Sequence, residues 1–353
     1  MAGDGPLRIA MISYYLPSES KIGVGYQVHA LATELAERGH DVTVLSACAP
    51  VPGARYGHRL VRPRGSLRTF RFATQLRRAD LSGYDVLHAH GDDYWMWRRR
   101  VGAHVRTLHG SCFEEAIHIR GVVQRTRMVL LGFSEVLASL VADRSVLVSP
   151  ATRRWTPWVS TVIPNGVSLE AAPADTPRAA HPVVLFVGTW KGRKRGRVLA
   201  EAFVEHVVPA LPDAELWMVS RDVPDDVHPS VKALGRVSDS ELADLYARAW
   251  AFCLPSSYEG FGIPYAEAMA SRLPVVATPN PGSRFVTDEG RAGILVDDDR
   301  LGPELLDLLR DDERRGDLAT RGWERSREFT LDRVVTAYED LYRDVLSERQ
   351  GGA

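Results

Sequence analysis

Glu259 and Glu267 stand eight positions apart, separated by the turn Gly260-Phe261-Gly262 and by a helix pattern that opens at Ile263. The turn comes directly after the apolar run Trp250 to Leu254, so a strand is followed by Gly-x-Gly and a helix start. Such a start leaves backbone N–H groups without partners and is a natural seat for an anion, phosphate above all. Two carboxylates beside an anion seat conflict unless the ligand carries hydroxyls as well as phosphates. Carboxylates then accept from the hydroxyls while the N–H groups hold the phosphates. A sugar nucleotide has that composition.

Other residues could serve such a ligand. The tract Gly188-Thr189-Trp190-Lys191-Gly192-Arg193-Lys194-Arg195-Gly196-Arg197 is the densest run of positive charge, and it too follows a strand. A charge run is usually a solvated face. At a strand's carboxyl end, however, these cations would neutralise a diphosphate. Gly23-Val24-Gly25 reads either as a phosphate-facing loop or as a plain turn, since Val28 replaces the third glycine of a dinucleotide fingerprint. His109 ends a strand and is either a cleft residue or a hydrogen-bonded core histidine. His88, His90 and Asp92 alternate in a way that suggests a metal site, but no further ligand is evident at a fitting distance.

The elements that must position these groups alternate in type. Leu7 to Ser13, Asp41 to Leu45, Val86 to Ala89 and Val105 to Leu108 read as strands, with helical patterns from Tyr26 to Arg38 and within 120–141. After Val162-Ile163-Pro164-Asn165-Gly166-Val167 a second series begins, with strands at 183–188, 216–219, 251–254, 274–277 and 293–296 and a final helix from Leu331 to Leu346. Alternation of this kind argues for parallel sheets covered on both faces. The expected architecture is α/β, with two doubly wound, Rossmann-like domains facing an interdomain cleft. The expected boundaries are 1–170 for an acceptor domain, 171–182 for a linker and 183–330 for a donor domain, with the helix of 331–353 packing back on the first.

Composition narrows the class. At 353 residues with a net charge of −1, the chain has no global field to recruit nucleic acid. Only four of its basic residues are lysines, a bias that fits a GC-rich genome. Cys48, Cys112 and Cys253 form no CxxC pair and read as reduced thiols. The polar start and the lack of a long apolar run predict a cytoplasmic protein.

With Glu259-x7-Glu267 in its Glu-Gly-Phe-Gly-Ile-Pro setting, the chain resembles the retaining glycosyltransferases of family 4, of the GT-B fold and the glycogen-synthase-like, group 1 superfamily. The resemblance extends to the N-terminal glycine loop, Leu108-His109-Gly110, Ile163 to Val167, Phe186-Val187-Gly188, Leu234 to Asp239 and Pro274 to Thr278. It implies that Glu259 and His109 act at the transferred sugar and that Glu267 meets the ribose. It also implies that the N–H groups of Phe261, Gly262 and Ile263 meet sugar and diphosphate, and that Arg236 and Val237 lie against the base. Two departures stand out. Thr189 occupies the family's arginine position, and ungapped spacing puts Arg195 at its lysine, so Arg193, Lys194 and Arg195 are together assigned to the diphosphate. Gly282 is single where the family often has a glycine pair followed by a glutamate.

The implied reaction moves a sugar from a UDP- or GDP-sugar to a hydroxyl of a small-molecule or glycan acceptor, with retention and with neither metal nor further cofactor. Antibiotic tailoring and cell-envelope glycan assembly both fit. Rival readings are a sugar-nucleotide epimerase, a glycosyl phosphorylase or a non-catalytic sugar-nucleotide-binding homologue. For the acceptor, Asp92, Asp93 and Trp95 in the segment 92–100 are candidates, although Trp95 and Trp97 read equally well as core. The stretch from Ile119 to Phe133, with Arg120, Arg125 and Arg127, reads as packed against the sheet in preference to touching a membrane.

Overall fold

The computed structural model describes residues 5–20, 22–65, 67–96, 102–119, 121–167 and 176–351. The chain divides into two compact units, Met1–Gly166 with Leu331–Ala353, and Val167–Thr330. Residues 97–101, 120 and 168–175, which include Trp97, Arg98, Arg99, Arg100, Arg120 and the first part of the expected linker, lie outside the described residues.

The first unit is built from β1 (Arg8–Ser13), α1 (Gly23–Glu37), β2 (Asp41–Ser46), β3 (Gly57–Leu60), α2 (Arg68–Arg78), β4 (Val86–Ala89), β5 (Ala103–Leu108), α3 (Cys112–His118), α4 (Val122–Val141) and β6 (Arg144–Leu147). Its six strands run in the order β3-β2-β1-β4-β5-β6, every pairing parallel. Alternation along β1 sends Ile9 and Met11 to one face, with Val28, Leu31 and Leu35 of α1, and Ala10 and Ile12 to the other, with Phe72 and Leu76 of α2. A fully buried strand needs apolar side chains on both faces, which is why β1 shows no polar alternation.

The second unit holds β7 (Val183–Val187), α5 (Gly196–Ala202), β8 (Glu215–Val219), β9 (Val231–Ala233), α6 (Asp239–Arg248), β10 (Ala251–Leu254), α7 (Ile263–Ala270), β11 (Val275–Ala277), α8 (Pro281–Val286), β12 (Ile294–Leu295), α9 (Asp298–Arg310) and α10 (Asp312–Ser326). Its order, β12-β11-β10-β7-β8-β9, is again all parallel. The chain then returns to the first unit as α11 (Leu331–Gly351), which places Val335, Tyr338 and Tyr342 in the same core as Ile9 and Val105. Strand order reverses between β1 and β4 in one sheet and between β7 and β10 in the other. Ligands of doubly wound sheets bind beyond the carboxyl ends at such switch points.

One expectation fails here. The helix that follows Ile119 is not packed away against the sheet: Val122, Val123, Leu130, Phe133, Leu137 and Leu140 of α4 are exposed, and the buried residues of that helix are Gly132, Ala138 and Ser139. Small residues on the inward side bring α4 close to its neighbours, with Phe113 of α3 seated against Gly132, while the large apolar side chains point outward.

Candidate active site

Because β7 and β10 are neighbours, the loops after them meet. The loop after β7 starts at Gly188, where a Cβ would come within 2.8 Å of Phe186 and 3.1 Å of the Lys194 side chain. The absence of a side chain there lets Lys194 fold back over the strand end. Thr189 Oγ donates to the Lys191 carbonyl at 2.7 Å, and Asp222, after β8, accepts from the N–H groups of Trp190 and Lys191. A short 3-10 turn over Gly192–Lys194 follows. The Ser257 N–H donates to the Arg193 carbonyl at 2.8 Å, which ties this turn to the loop after β10.

The side chains converge on one carboxylate oxygen. Glu259 Oε1 lies 2.7 Å from Lys194 Nζ and 2.7 Å from Arg193 Nη1, and it accepts from Ser256 Oγ at 2.7 Å. Arg193 also donates to the Tyr258 carbonyl. Burial alone would raise the Glu259 carboxyl, but the cations of Lys194 and Arg193 with these hydrogen bonds outweigh it and hold the group below its ordinary value. Burial in turn lowers Lys194, against the pull of Glu259. Arg195 does not join them. It sits in the left-handed region (φ 59°), and its guanidinium pairs with Asp298 at the start of α9.

Between the two glutamates the local sequence sets a tight turn. Gly262 adopts φ 93°, a conformation that favours glycine, and α7 begins at Ile263 with no side-chain cap. Pro264 contributes no N–H, so the N–H groups of this turn are those of Phe261, Gly262 and Ile263. The Phe261 ring is buried against Phe285 and Phe329. Gly282 at the start of α8 touches this turn from behind: a Cβ there would stand 2.5 Å from the Phe261 carbonyl and 2.7 Å from Glu259 Cβ. The single glycine is therefore dictated by close approach. Asn280 caps α8 and also donates to the Ser256 carbonyl, fixing the base of the turn. One turn along α7, Glu267 Oε2 accepts from Tyr246 OH at 3.0 Å, and burial raises its carboxyl despite that bond and the Lys194 charge. Arg236, exposed, and Val237, half-buried, follow Gly235 (φ 67°) after β9, just ahead of the Ser238–Glu241 capping box of α6.

The first unit presents a different set. α1 begins at Gly23, three residues ahead of the expected Tyr26, and has no side-chain cap. A Cβ on Gly25 would approach Tyr15 and Leu16 backbone atoms at 3.0–3.1 Å, so this glycine seats the helix start against the preceding loop. At the carboxyl ends of β4 and β5, His90 Nδ1 and His109 Nε2 share a hydrogen bond of 2.9 Å, and their rings stack. Burial lowers both, His109 to about 4 with the Arg106 charge adding to the effect, so the two imidazoles are neutral near pH 7. His88 spends both ring nitrogens on protein partners, Tyr342 OH at 2.7 Å and Thr107 Oγ at 2.8 Å. No cluster of three or more metal-ligating side chains occurs among the described residues.

The acceptor candidates separate. Asp93 is fully buried and bonded to His104 at 3.0 Å and to Arg106, whose charge it balances inside the sheet. It faces the core and not an acceptor. Asp92, half-buried with φ 62°, accepts from Tyr94 OH, and burial pushes its carboxyl up to about 6. Trp95 packs edge-on against Tyr94 and is partly covered. Sequence reasoning missed Ser256, Asp222, Tyr246 and Asn280, none of which has a local pattern to reveal it. Arg106 did have one: an arginine inside an otherwise apolar strand demands a buried countercharge.

The chain is similar to known glycosyltransferases along most of its length. The family described as Glycosyltransferase Family 4 matches residues 22–171, and that described as Glycosyl transferases group 1 matches 181–311. The phosphatidyl-myo-inositol mannosyltransferase of Mycolicibacterium smegmatis is 28% identical, over 96% of this chain and 94% of its own. Among solved structures, sucrose-phosphate synthase from Thermosynechococcus elongatus superposes with a TM-score of 0.81 at 21% identity, covering 97% of this chain and all (100%) of that one. Anabaena HepE, solved in complex with UDP-glucose, gives 0.74 at 16% identity, with 97% and 100% coverage.

Proposed function

Since the chain belongs to family 4 of the glycosyltransferases and is a glycosyltransferase of the GT-B fold, we propose that its donor is a nucleoside-diphosphate sugar and that transfer retains the anomeric configuration. The observation that carries this reading is the convergence of Lys194 and Arg193 on Glu259 Oε1 beside the uncapped start of α7. Cations and backbone donors face the same small volume as a carboxylate that stays ionised, which suits a ligand bearing both phosphates and hydroxyls.

In this scheme the N–H groups of Phe261, Gly262 and Ile263 hold the diphosphate, together with Lys194. Arg193 supplies the charge that Thr189 cannot. Glu259, steadied through Oε1, offers Oε2 to a hydroxyl of the transferred sugar, and Glu267 accepts from the ribose. Arg236 and Val237 flank the base through their backbone. Within the first unit, the helix start at Gly23 and Gly25 is the candidate phosphate contact, the neutral His109 imidazole is the candidate for a hydrogen bond without charge, and Asp92 and Trp95 are the acceptor candidates.

The step is a same-face substitution. The bond from the anomeric carbon to the diphosphate oxygen breaks, the acceptor oxygen bonds to that carbon, and the acceptor's proton passes to the departing phosphate oxygen. Protein charges serve to stabilise the leaving diphosphate. UDP- and GDP-sugars are both candidate donors, and a small molecule, glycan or inositol-type hydroxyl is the candidate acceptor.

Incubation with a panel of UDP- and GDP-sugars, with and without such acceptors, tests the proposal through release of free nucleoside diphosphate and the stereochemistry of the product. Acceptor-dependent release with retention is expected. Conversion of the donor to another sugar nucleotide without release would make the protein an epimerase. Binding without turnover under any condition would make it a non-catalytic homologue.

A further inference from the structure

Glu267 is held from the core by a tyrosine. Tyr246, in the last turn of α6, is fully buried, with its ring 5.8 Å from that of Phe252 and its hydroxyl donating to Glu267 Oε2 at 3.0 Å. A buried tyrosine hydroxyl needs an acceptor, and Glu267 is the acceptor it has. Among the described residues no other group donates to this carboxylate. Oε1 is therefore left free of protein donors, and it is not sealed from solvent.

The two helices that carry this pair are braced to each other. The Arg178 guanidinium donates to the carbonyls of Tyr246 and Ala249 at 3.3 and 2.6 Å, at the end of α6. It also donates to the Arg272 carbonyl at 2.8 Å, just past the end of α7. The framework, and not a ligand, thus sets the distance from Tyr246 to Glu267. Burial is the largest influence on the Glu267 carboxyl and raises it. The Tyr246 hydrogen bond opposes burial most strongly, ahead of the Lys194 charge, while Asp239 at the start of α6 adds to the rise.

We infer that Tyr246 is a positioning residue for the donor's ribose, and that through Glu267 it makes the site prefer ribonucleotides to 2′-deoxyribonucleotides. The inference rests on the reading that Glu267 meets the ribose. With Oε2 pinned by the tyrosine, the carboxylate is held against rotation, and Oε1 offers its lone pairs in a fixed direction to adjacent hydroxyls. A 2′-deoxyribose lacks one of those donors. Its loss counts in full only where the acceptor is ionised and held in place. Phenylalanine at this position would fill the same space but leave the carboxylate free to swing and its charge less supported.

Isothermal titration of the full chain with the ribo and 2′-deoxy forms of UDP and of GDP provides the test. It compares the parent with Tyr246→Phe, Glu267→Gln and the double variant. Whichever nucleotide the parent binds more tightly should bind at least roughly tenfold more weakly in its 2′-deoxy form, the scale of one hydrogen bond to a charged group. Tyr246→Phe should weaken the ribo form about tenfold and change the 2′-deoxy form by less than about threefold, so that the preference nearly vanishes. The double variant should bind the ribo form within about threefold of Glu267→Gln alone, because the hydroxyl acts through that carboxylate. An undiminished preference in Tyr246→Phe would overturn the inference while leaving Glu267 at the ribose. Equal weakening of both forms would overturn it too, as would a Tyr246→Phe protein whose thermal melt shows it unfolded, since the hydroxyl would then serve only the fold. If the parent binds the two forms alike and Glu267→Gln changes neither, the assignment of Glu267 to the ribose falls, and this inference with it.

Discussion

The two units share one sheet plan and handle buried charge in opposite ways. In the second, Lys194, Arg193 and Glu259 keep one another ionised at the rim of a glycine turn, with Arg193 reaching solvent. In the first, Arg106 and Asp93 are sealed inside β5 and its neighbouring loop, and the histidines beside them are held neutral by burial. Both arrangements lie at carboxyl ends of parallel strands, so position in a doubly wound sheet does not decide how a charge is used. Access does. A pair that a ligand can reach stores electrostatic potential for that ligand, while a sealed pair serves only to neutralise itself.

The contrast can be broken most sharply at Asp93. Asp93→Asn leaves Arg106 without its nearest countercharge and should lower unfolding free energy by about 3–5 kcal/mol, read as a fall in urea midpoint. An unchanged midpoint would show that Asp92 and Glu135 already balance Arg106. Glu259→Gln is the matching test in the second unit. It should reduce kcat by about a hundred- to a thousandfold, the usual scale for removing one preorganised electrostatic group. A fully active variant would remove Glu259 from the reaction.

Acid titration distinguishes the units next. His88, His104 and His109 fall by burial to about 3, about 4 and about 4 in the folded state. The unfolded chain therefore binds more protons below pH 6.5, and stability is lost as pH falls from there toward 4 by up to about 1.4 kcal/mol per pH unit for each histidine. Glu259 acts with the same sign in a lower window: its carboxyl is depressed too, so its contribution is intact above the unfolded carboxylate value and is lost as pH falls below that value through the folded one. Amide exchange should accordingly quicken in β4 and β5 between pH 6.5 and 5 before it quickens around α7. Simultaneous loss would show that the histidines do not govern the first unit.

The smallest effect is expected at Arg195. Because its guanidinium is engaged by Asp298, Arg195→Ala should change the Kd for UDP or GDP by less than about threefold, against at least roughly tenfold for Lys194→Ala. Isothermal titration with each nucleotide separates the two. Equal losses would restore Arg195 to the diphosphate.

The sequence was most informative where burial is two-sided. Central strands such as Val86–Ala89 and Ala251–Leu254 coincide with their apolar runs because both faces are covered. The edge strands Gly57–Leu60 and Val231–Ala233 left no such run, since much of each faces solvent. The start of α1 was hidden by two glycines, poor helix formers, of which Gly25 sits where the backbone passes close to Leu16. The meeting of Lys194 with Glu259 depends on β7 and β10 being adjacent, and strand order is not written in any local window. For α4 the mixture of arginines and apolar residues did not say whether anything covers the helix, and burial was the wrong inference from apolarity alone.

The return of α11 to the first unit imposes an order on synthesis. Residues 167–330 form a continuous stretch and emerge from the ribosome whole, whereas the first unit lacks a wall of its core until 331–351 arrive. Until then His88 and Thr107 have no Tyr342 or Tyr338 to bond, and the apolar face around Ile9 and Val105 is bare. The nascent chain thus completes its second half first, and its earliest-made residues are the last to become native. A ribosome stalled before residue 331 would release a protein with one finished unit and one open core, the species a chaperone would be expected to hold.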